Sequence, residues 1–237
     1  MLYSDTLLIS ISLGVLPAVF WLLFWLYEDK IRPEPRGLIL RAFVGGMLVV
    51  PIVIPLQLIG FQYFSLGVVA FTIVSITEEI FKYVAARITS LGSKENNEPL
   101  DPVIYMITTA LGFAAVENTL FLIQDAGMGA AASSLIITGN MRFLGATLLH
   151  VISSATVGVF MSLVFYKSKN IKKLFLLFGL ILAIILHTVF NLLIISNANT
   201  NNTSIFTIFT FVWVGVVILL LMFEKIKTIQ PFKRFRQ

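Results

Sequence analysis

The chain has 237 residues, of which 58% are hydrophobic and 12% are charged, and its net charge is +5. Soluble domains carry about 25% charged residues, so this composition excludes a soluble globular protein and predicts an all-α, polytopic membrane helix bundle. The chain has no cysteine, which excludes disulfides, zinc–thiolate sites and thiol catalysis. Its basic residues lie between apolar runs, so we expect the lipid bilayer, and no nucleic acid, as a partner.

Seven apolar runs have about the 20 residues that a helix needs to cross a bilayer. They are Thr6–Tyr27, Gly37–Gly60, Phe64–Ala86, Pro102–Ile123, Arg142–Tyr166, Leu174–Ile195 and Ser204–Phe223. These spans use most of the chain and leave no room for a separate soluble domain. We therefore expect residues 1–237 to form a single integral membrane domain.

The connections between these runs alternate between basic and non-basic. Fourteen of the 17 basic residues lie in the connections at residues 28–36, 87–101 and 167–173 and in the tail at 224–237. The intervening connections, at residues 61–63, 124–140 and 196–203, contain no Lys or Arg. By the positive-inside rule, this alternation predicts seven spans with the N-terminus outside and the C-terminus in the cytoplasm.

The third span carries two adjacent carboxylates and a lysine, Glu78, Glu79 and Lys82. A charged side chain at the bilayer centre costs roughly 2.5–3.5 kcal/mol on insertion scales, so these residues are expected to be functional. Lys82 follows the two carboxylates at helical spacings of four and three and can pair with either. The two carboxylates point in directions about 100° apart on the helix, so they cannot both reach the same reacting group equally well.

Further polar groups lie in the next three spans, together with an aromatic neighbour: Phe113, Glu117 and Asn118 in the fourth, Arg142 and His150 in the fifth, and His187 and Asn191 in the sixth. Glu117, His150 and His187 each lie about six to eight residues from the outer end of their span, roughly 9–12 Å deep. Independent structural residues would have no reason to agree in depth. The agreement predicts one shared, water-filled cavity.

This set of side chains favours hydrolysis of an acyl bond in the membrane. A glutamate can take a proton from water, a histidine can assist, and His or Asn donors can stabilise an oxyanion. The His-Glu-x-x-His signature of zinc proteases is absent, although ligands from four separate spans leave a metal site open. Two rival interpretations are a proton- or metal-coupled transporter and a non-enzymatic scaffold whose polar cluster specifies packing.

Four short motifs in this order resemble a known family. They are Glu78-Glu79-x-x-Lys82, Phe113-x-x-x-Glu117-Asn118, Arg142 ahead of His150, and His187-x-x-x-Asn191. Together they resemble the PrsW family of glutamic-type intramembrane proteases, which is similar in turn to the CAAX-protease and bacteriocin-processing Abi superfamily. The resemblance covers the four central spans, about residues 64–195. The wider superfamily usually has a histidine where Glu117 stands, and this departure favours the PrsW branch over a metal-dependent CAAX-type protease.

The resemblance implies a bacterial, multi-pass cell-membrane protease without a cofactor or metal. It implies that one of Glu78 and Glu79 activates water, that His187 and Asn191 belong to an oxyanion motif, and that His150 and Glu117 are catalytic. Lys82, Asn118, Arg142 and Phe113 would support them. The implied substrate is a single-span, membrane-anchored protein, such as an anti-sigma factor, cut near the extracytoplasmic face. Residues 124–140 form a candidate gate, either a short surface helix or a lid.

Overall fold

The computed structural model describes residues 2–30, 32–64, 67–197 and 203–230, and these residues form helices and no strand. The helices are α1 (Leu2–Glu28), α2 (Arg36–Tyr63), α3 (Val68–Ala86, continued by a π-helical turn at Arg87–Leu91), α4 (Asp101–Gly127), α5 (Ala132–Leu144), α6 (Ala146–Leu163), α7 (Lys169–Asn197) and α8 (Thr203–Lys227). The predicted all-helical membrane bundle is confirmed.

Helix α4 is the centre of the bundle. Its residues from Asp101 to Ala115 are all buried, and it packs mainly against α1, α2 and α6. A helix that is apolar on every side is expected to be surrounded by other helices. The other helices are arranged around α4, so its polar residues near position 117 face protein and not lipid.

Two glycines allow α2 to lie directly against α4. Gly46 of α2 touches the backbone carbonyl of Thr109, and Gly112 of α4 touches the carbonyl of Phe43, so a Cβ atom at either glycine would collide with main chain. Small residues permit such close backbone approach between membrane helices. These two contacts fix α2 against the side of α4 that carries the polar cluster.

The outer helices expose large apolar side chains, as expected for a lipid-facing surface. Leu16 of α1 is 65% exposed and Leu221 of α8 is 66% exposed, whereas Trp25 and Phe223 of the same helices are buried.

Six helical stretches of the described chain are long and apolar enough to span a bilayer, with α5 and α6 counted as one. Helix α3, with 19 residues and three charged side chains, corresponds to the third predicted span, Phe64–Ala86, and is not among these six stretches. The predicted sidedness of the termini stays a prediction, and residues 231–237 of the basic tail lie outside the described residues.

The predicted fifth span, Arg142–Tyr166, is wrong at its start. The chain turns at Gly145, with φ −112° and ψ −78°, so Arg142 belongs to α5 and the spanning helix α6 begins at Ala146. The sequence from Phe143 to Leu149 is mostly apolar and carries no charge through this turn, and hydropathy alone therefore could not reveal it.

The stretch from Gln124 to Asn140 was predicted to be a short surface helix or a lid. In the structure α4 continues to Gly127, the chain turns at Gly129 with φ +89°, and α5 begins at Ala132. A positive φ suits glycine, which lacks a Cβ atom. A short helix is therefore present, and its role as a gate stays a prediction.

Several buried or partly buried carboxyl groups lie close together at the end of the bundle where α1 joins α2. Tyr105 of α4 donates a hydrogen bond to Glu34. Burial, helped by the nearby carboxylates of Glu98 and Asp101, raises the pKa of Asp29 from its usual 3.8 to about 7. Burial also raises the pKa of Glu34 from 4.5 to about 8, and the Asp101 carboxylate adds to this shift against the Tyr105 hydrogen bond. Between the usual pKa of about 4 and these raised values, both carboxyl groups therefore keep a proton in the folded protein that they release in the unfolded chain.

We expect this end of the bundle to lose stability as the pH rises. A raised folded-state pKa contributes stability that is present below the unfolded pKa, about 4, and is lost as the pH rises through the folded values of about 7 and 8. The unfolding temperature in detergent should fall between about pH 5 and pH 9, and Asp29→Asn with Glu34→Gln should flatten this slope. An unchanged slope in the double variant would contradict the assignment.

Candidate active site

The structure brings all ten residues singled out from the sequence to one place. Around a cavity of about 540 Å³ lie Glu78, Phe113, Glu117, Arg142, His150, His187 and Asn191. Directly behind this lining, Glu79, Lys82 and Asn118 are buried and hydrogen-bonded to lining residues or to one another. The ten residues lie on five helices, α3 to α7, and come together in one region of the bundle.

The cavity lies toward the end of the bundle whose connections carry no Lys or Arg. Its outer lining includes Phe61 near the end of α2, Phe71 near the start of α3, and Gln124 and Ile194 near the ends of α4 and α7. The chain between these ends, at residues 64–67, 128–131 and 198–202, is free of basic residues. Under the positive-inside prediction, this is the extracytoplasmic end.

Glu79 is completely buried, and both of its carboxylate oxygens accept hydrogen bonds. The donors are Lys82 Nζ at 2.5 Å, Ser153 Oγ at 2.9 Å, Ser154 Oγ at 2.8 Å and His187 Nδ1 at 2.8 Å. Charge-assisted hydrogen bonds of this kind hold a carboxylate firmly in place. Glu79 thus joins α3 to α6 and α7, and it lies behind the residues that line the cavity.

Glu78 is held differently, although it is the neighbouring residue. One carboxylate oxygen, Oε1, accepts a hydrogen bond from Gln57 Nε2 at 2.9 Å. The other, Oε2, is buried and has no hydrogen-bond partner among the described residues. It lies 3.6 Å from His187 Nε2 and 3.9 Å from His150 Nδ1. Of the two glutamates, Glu78 is the one that lines the cavity with an oxygen available for chemistry.

The hydrogen bonds assign the proton positions on both histidines. His187 Nδ1 faces the Glu79 carboxylate, which can only accept, so Nδ1 carries the proton and Nε2 presents a lone pair to Glu78. His150 Nε2 lies 2.9 Å from Glu117, and its Nδ1 lies 3.3 Å from the Lys82 ammonium, which can only donate. In the neutral rings, the lone pair of His187 Nε2 lies 3.6 Å from Glu78 Oε2, whereas the lone pair of His150 Nδ1 faces Lys82.

Glu117 and Arg142 form the far wall of the cavity. Arg142 Nη2 lies 3.1 Å from the Glu117 carboxylate, and Arg142 Nε donates to Asn118 Oδ1 at 2.7 Å. Asn118 Nδ2 in turn donates to Thr147 Oγ1 at 2.9 Å. The guanidinium also stacks on Phe121, 4.0 Å from the ring centroid. Arg142 is thus an ion-pair partner of Glu117 as well as a residue near the end of its helix.

Phe113 and Asn191 complete the predicted set. Phe113 is buried, with Lys82 Nζ 4.9 Å from its ring centroid and the His150 ring at 5.1 Å in an edge-on arrangement. A ring face attracts a cation, so this contact helps to hold the Lys82 ammonium in place. Asn191 lines the cavity one helical turn beyond His187 and is an amide donor within it.

The same geometry can hold a divalent metal ion. One ligand atom each from Glu78, His150 and His187 lies within 4.8 Å of the others. Each histidine gives its other ring nitrogen to a carboxylate, Glu79 or Glu117, as metal-ligating histidines commonly do. Three protein ligands beside an open cavity are typical of catalytic zinc sites. The donor set fits a metal.

Three contributors to the site were missed in the sequence. Gln57 of α2 bonds Glu78, and Ser153 and Ser154 of α6 bond Glu79. Gln57 is the one amide in the predicted second span, and the two serines follow His150 by about one helical turn. Two signals in the sequence could have revealed them: a lone amide in an apolar helix, and adjacent hydroxyls one turn from a histidine of the site.

Comparison with known proteins identifies the family of this chain. A sequence model of the family described as "PrsW family intramembrane metalloprotease" matches residues 34–222. The chain is 32% identical to "Protease PrsW" of Oceanobacillus iheyensis over 190 residues, covering 78% of this chain and 82% of the relative. It is 29% identical to "Protease PrsW" of Geobacillus kaustophilus over 195 residues, covering 78% and 80%.

A third relative, "Protease PrsW" of Clostridioides difficile, is 26% identical over 190 residues, covering 77% of each chain. No solved structure matches the chain significantly. The matched stretch contains all ten site residues and the helices that carry them. The chain therefore belongs to the PrsW family of intramembrane proteases, which are multi-pass membrane proteins of bacteria.

Proposed function

We propose that this chain is an endopeptidase in which Glu78 activates a water molecule to cleave a membrane-anchored protein inside the bilayer. The observation that carries this proposal is Glu78 Oε2, a buried carboxylate oxygen that lacks a hydrogen-bond partner and belongs to a residue lining the cavity. A general base must have an oxygen within reach of the proton that it takes. Glu79 is the weaker candidate, because it lies behind the cavity lining and both of its oxygens already accept hydrogen bonds.

The reaction follows from the groups around the cavity. Water enters between Glu78 and His187, Glu78 Oε2 takes its proton, and the resulting hydroxide attacks the carbonyl carbon of the scissile peptide bond. The amide of Asn191, which lines the cavity, donates to the developing oxyanion. The C–N bond then breaks as Glu78 returns the proton to the leaving amine. Water and a peptide bond give an acid and an amine, without a covalent enzyme intermediate.

Metal assistance is a second form of the same activity, favoured by the convergence of Glu78, His150 and His187. The matched family is described as metalloproteases. A divalent ion held by these three side chains would lower the pKa of a bound water and polarise the substrate carbonyl. Lys82 would then have to leave His150 Nδ1, from which it lies 3.3 Å, and rely on Glu79 alone.

The cavity supports a substrate that is itself anchored in the membrane. Its lining is mostly apolar and includes Phe61, Phe71 and Phe190. It lies toward the end of the bundle that the positive-inside rule places outside, so the cleaved bond would lie near the extracytoplasmic face. The resemblance described above adds the proposal that a single-span anti-sigma factor is the substrate, with site-1 cleavage as the reaction.

This proposal is tested with a panel of single-span bacterial membrane proteins, including anti-sigma factors, each co-expressed with the wild type, Glu78→Gln or His187→Ala. We expect one panel member to yield a fragment with the wild type alone, and mass spectrometry of its ends locates the cleaved bond. No wild-type-dependent fragment from any member would overturn the proposal.

Metal dependence is decided by repeating the reaction with purified protein, with and without a chelator, and by measuring the metal content. Activity that survives chelation in metal-free protein would establish the glutamate mechanism. Loss on chelation and recovery with zinc, with about one ion per chain that His187→Ala lacks, would establish the metal-assisted form.

A further inference from the structure

We propose that Gln57 is a positioning residue, whose side-chain amide turns the Glu78 carboxylate so that Oε2 is the oxygen offered to the reacting water. This inference rests on the proposed function of Glu78. Gln57 lies on α2, outside the residues that carried the sequence motifs, and it also lines the cavity. Its hydrogen bond to Glu78 links α2 to the carboxylate on α3 that is proposed to activate water.

The hydrogen bond has a defined direction. An ionised carboxylate only accepts hydrogen bonds, so the Gln57 amide nitrogen is the donor and Glu78 Oε1 the acceptor, at 2.9 Å. Among the described residues it is the hydrogen bond that holds the Glu78 side chain. The nearest nitrogens of His187 and His150 lie 3.6 and 3.9 Å from Oε2, which is beyond hydrogen-bond distance. Gln57 thus engages Oε1, while Oε2 has no hydrogen-bond partner among the described residues.

The packing of α2 brings Gln57 to this position. Val50, Val53 and Gln57 have helical spacings of three and four and share one face of α2. Val50 and Val53 are both buried, in a cluster with Phe113 of α4. This face of α2 is therefore directed at the polar cluster, and Gln57 continues it by one turn. The close approach of α2 to α4 at Gly46 keeps the face in place.

The test compares Gln57→Met and Gln57→Glu with the wild type on a purified panel substrate. Met keeps the length of the side chain and removes the donor, whereas Glu replaces the donor by a second acceptor. Loss of a hydrogen bond to a charged group should lower kcat by about 10- to 100-fold in Gln57→Met, with KM unchanged. Gln57→Glu should fall at least as far. Gln62→Met, at an exposed position on the same helix, is the matched control and should keep wild-type kcat.

A second readout does not depend on activity. The infrared carboxylate band of Glu78, identified as the band lost in Glu78→Gln, should shift in Gln57→Met and stay in place in Gln62→Met. Thermal unfolding in detergent shows which variants are folded. If both Gln57 variants unfold under conditions in which Gln62→Met is stable, Gln57 is a structural residue and the positioning assignment is overturned.

The outcomes separate this inference from the proposed function. Wild-type kcat in Gln57→Met, or a raised KM with unchanged kcat, would overturn the positioning role and leave Glu78 as the base. Cleavage that persists in Glu78→Gln would overturn the proposed function itself, and the positioning role with it. A lowered kcat in Gln57→Met that disappears in the Glu78→Gln background would support both.

Discussion

Glu78→Gln is expected to abolish cleavage while leaving the protein folded. The substituted amide has the size of the carboxylate and can still accept the hydrogen bond that Gln57 donates to Oε1 at 2.9 Å. It cannot take a proton from water, and loss of a general base costs typically 10²- to 10⁴-fold in rate. The measurement is kcat on a purified substrate, together with the unfolding temperature in detergent.

The matched control for this variant is Glu95→Gln, which makes the same chemical change at an exposed position outside the spans. It should keep the wild-type rate. Glu78→Asp should retain only residual activity, because the shorter side chain moves its oxygens away from Gln57. A rate within about tenfold of the wild type in Glu78→Gln would remove Glu78 from the mechanism, since a lost base costs more than that.

Glu79→Ala is expected to destabilise the protein strongly, in addition to abolishing activity. It leaves the Lys82 ammonium completely buried without its carboxylate, which lies 2.5 Å away in the wild type. Removal of one partner of a buried ion pair typically costs about 3–5 kcal/mol. It also frees His187 Nδ1, whose hydrogen bond to Glu79 directs Nε2 toward Glu78. The unfolding temperature and the amount of folded protein in membranes measure this effect.

A double variant distinguishes the ion pair from simple loss of packing. Glu79→Gln with Lys82→Met removes both charges together, so no charge is left buried alone and most of the lost stability should return. Activity should not return with it, because the amide is a weaker acceptor for His187. If Glu79→Ala unfolded at the wild-type temperature, the Lys82 pair would not be a stabilising element of this fold.

This expectation refines the one that the sequence alone supports. In the sequence, Glu78 and Glu79 are equivalent candidates for the residue that activates water. The hydrogen bonds separate them. Glu79 is buried among four donors from three helices, whereas Glu78 has one donor and one unpartnered oxygen. Loss of folding is therefore expected for Glu79 and not for Glu78.

Composition and helical spacing by themselves determined the membrane architecture and indicated most members of the candidate site. Apolar runs of about 20 residues are a local property, and each helix satisfies its own backbone hydrogen bonds, so the spans follow from the sequence without knowledge of their neighbours. Charges are costly in such runs, so Glu78, Glu79, Lys82, Glu117 and His150 stood out for the same local reason. The order of the motifs indicated the family.

Tertiary structure alone decided how these groups are used. Glu78 and Glu79 differ by one helical step, and the rotation of α3 against α2, α6 and α7 determines which carboxylate lines the cavity. In the sequence, the Gln57 amide belongs to none of the four motifs of the site. The close contact of Gly46 with α4 places the Gln57 face of α2 next to Glu78. The turn at Gly145, which places Arg142 on α5, lies within a mostly apolar, uncharged run. Hydropathy and periodicity describe one helix at a time, whereas pairing, proton position and access depend on contacts between helices.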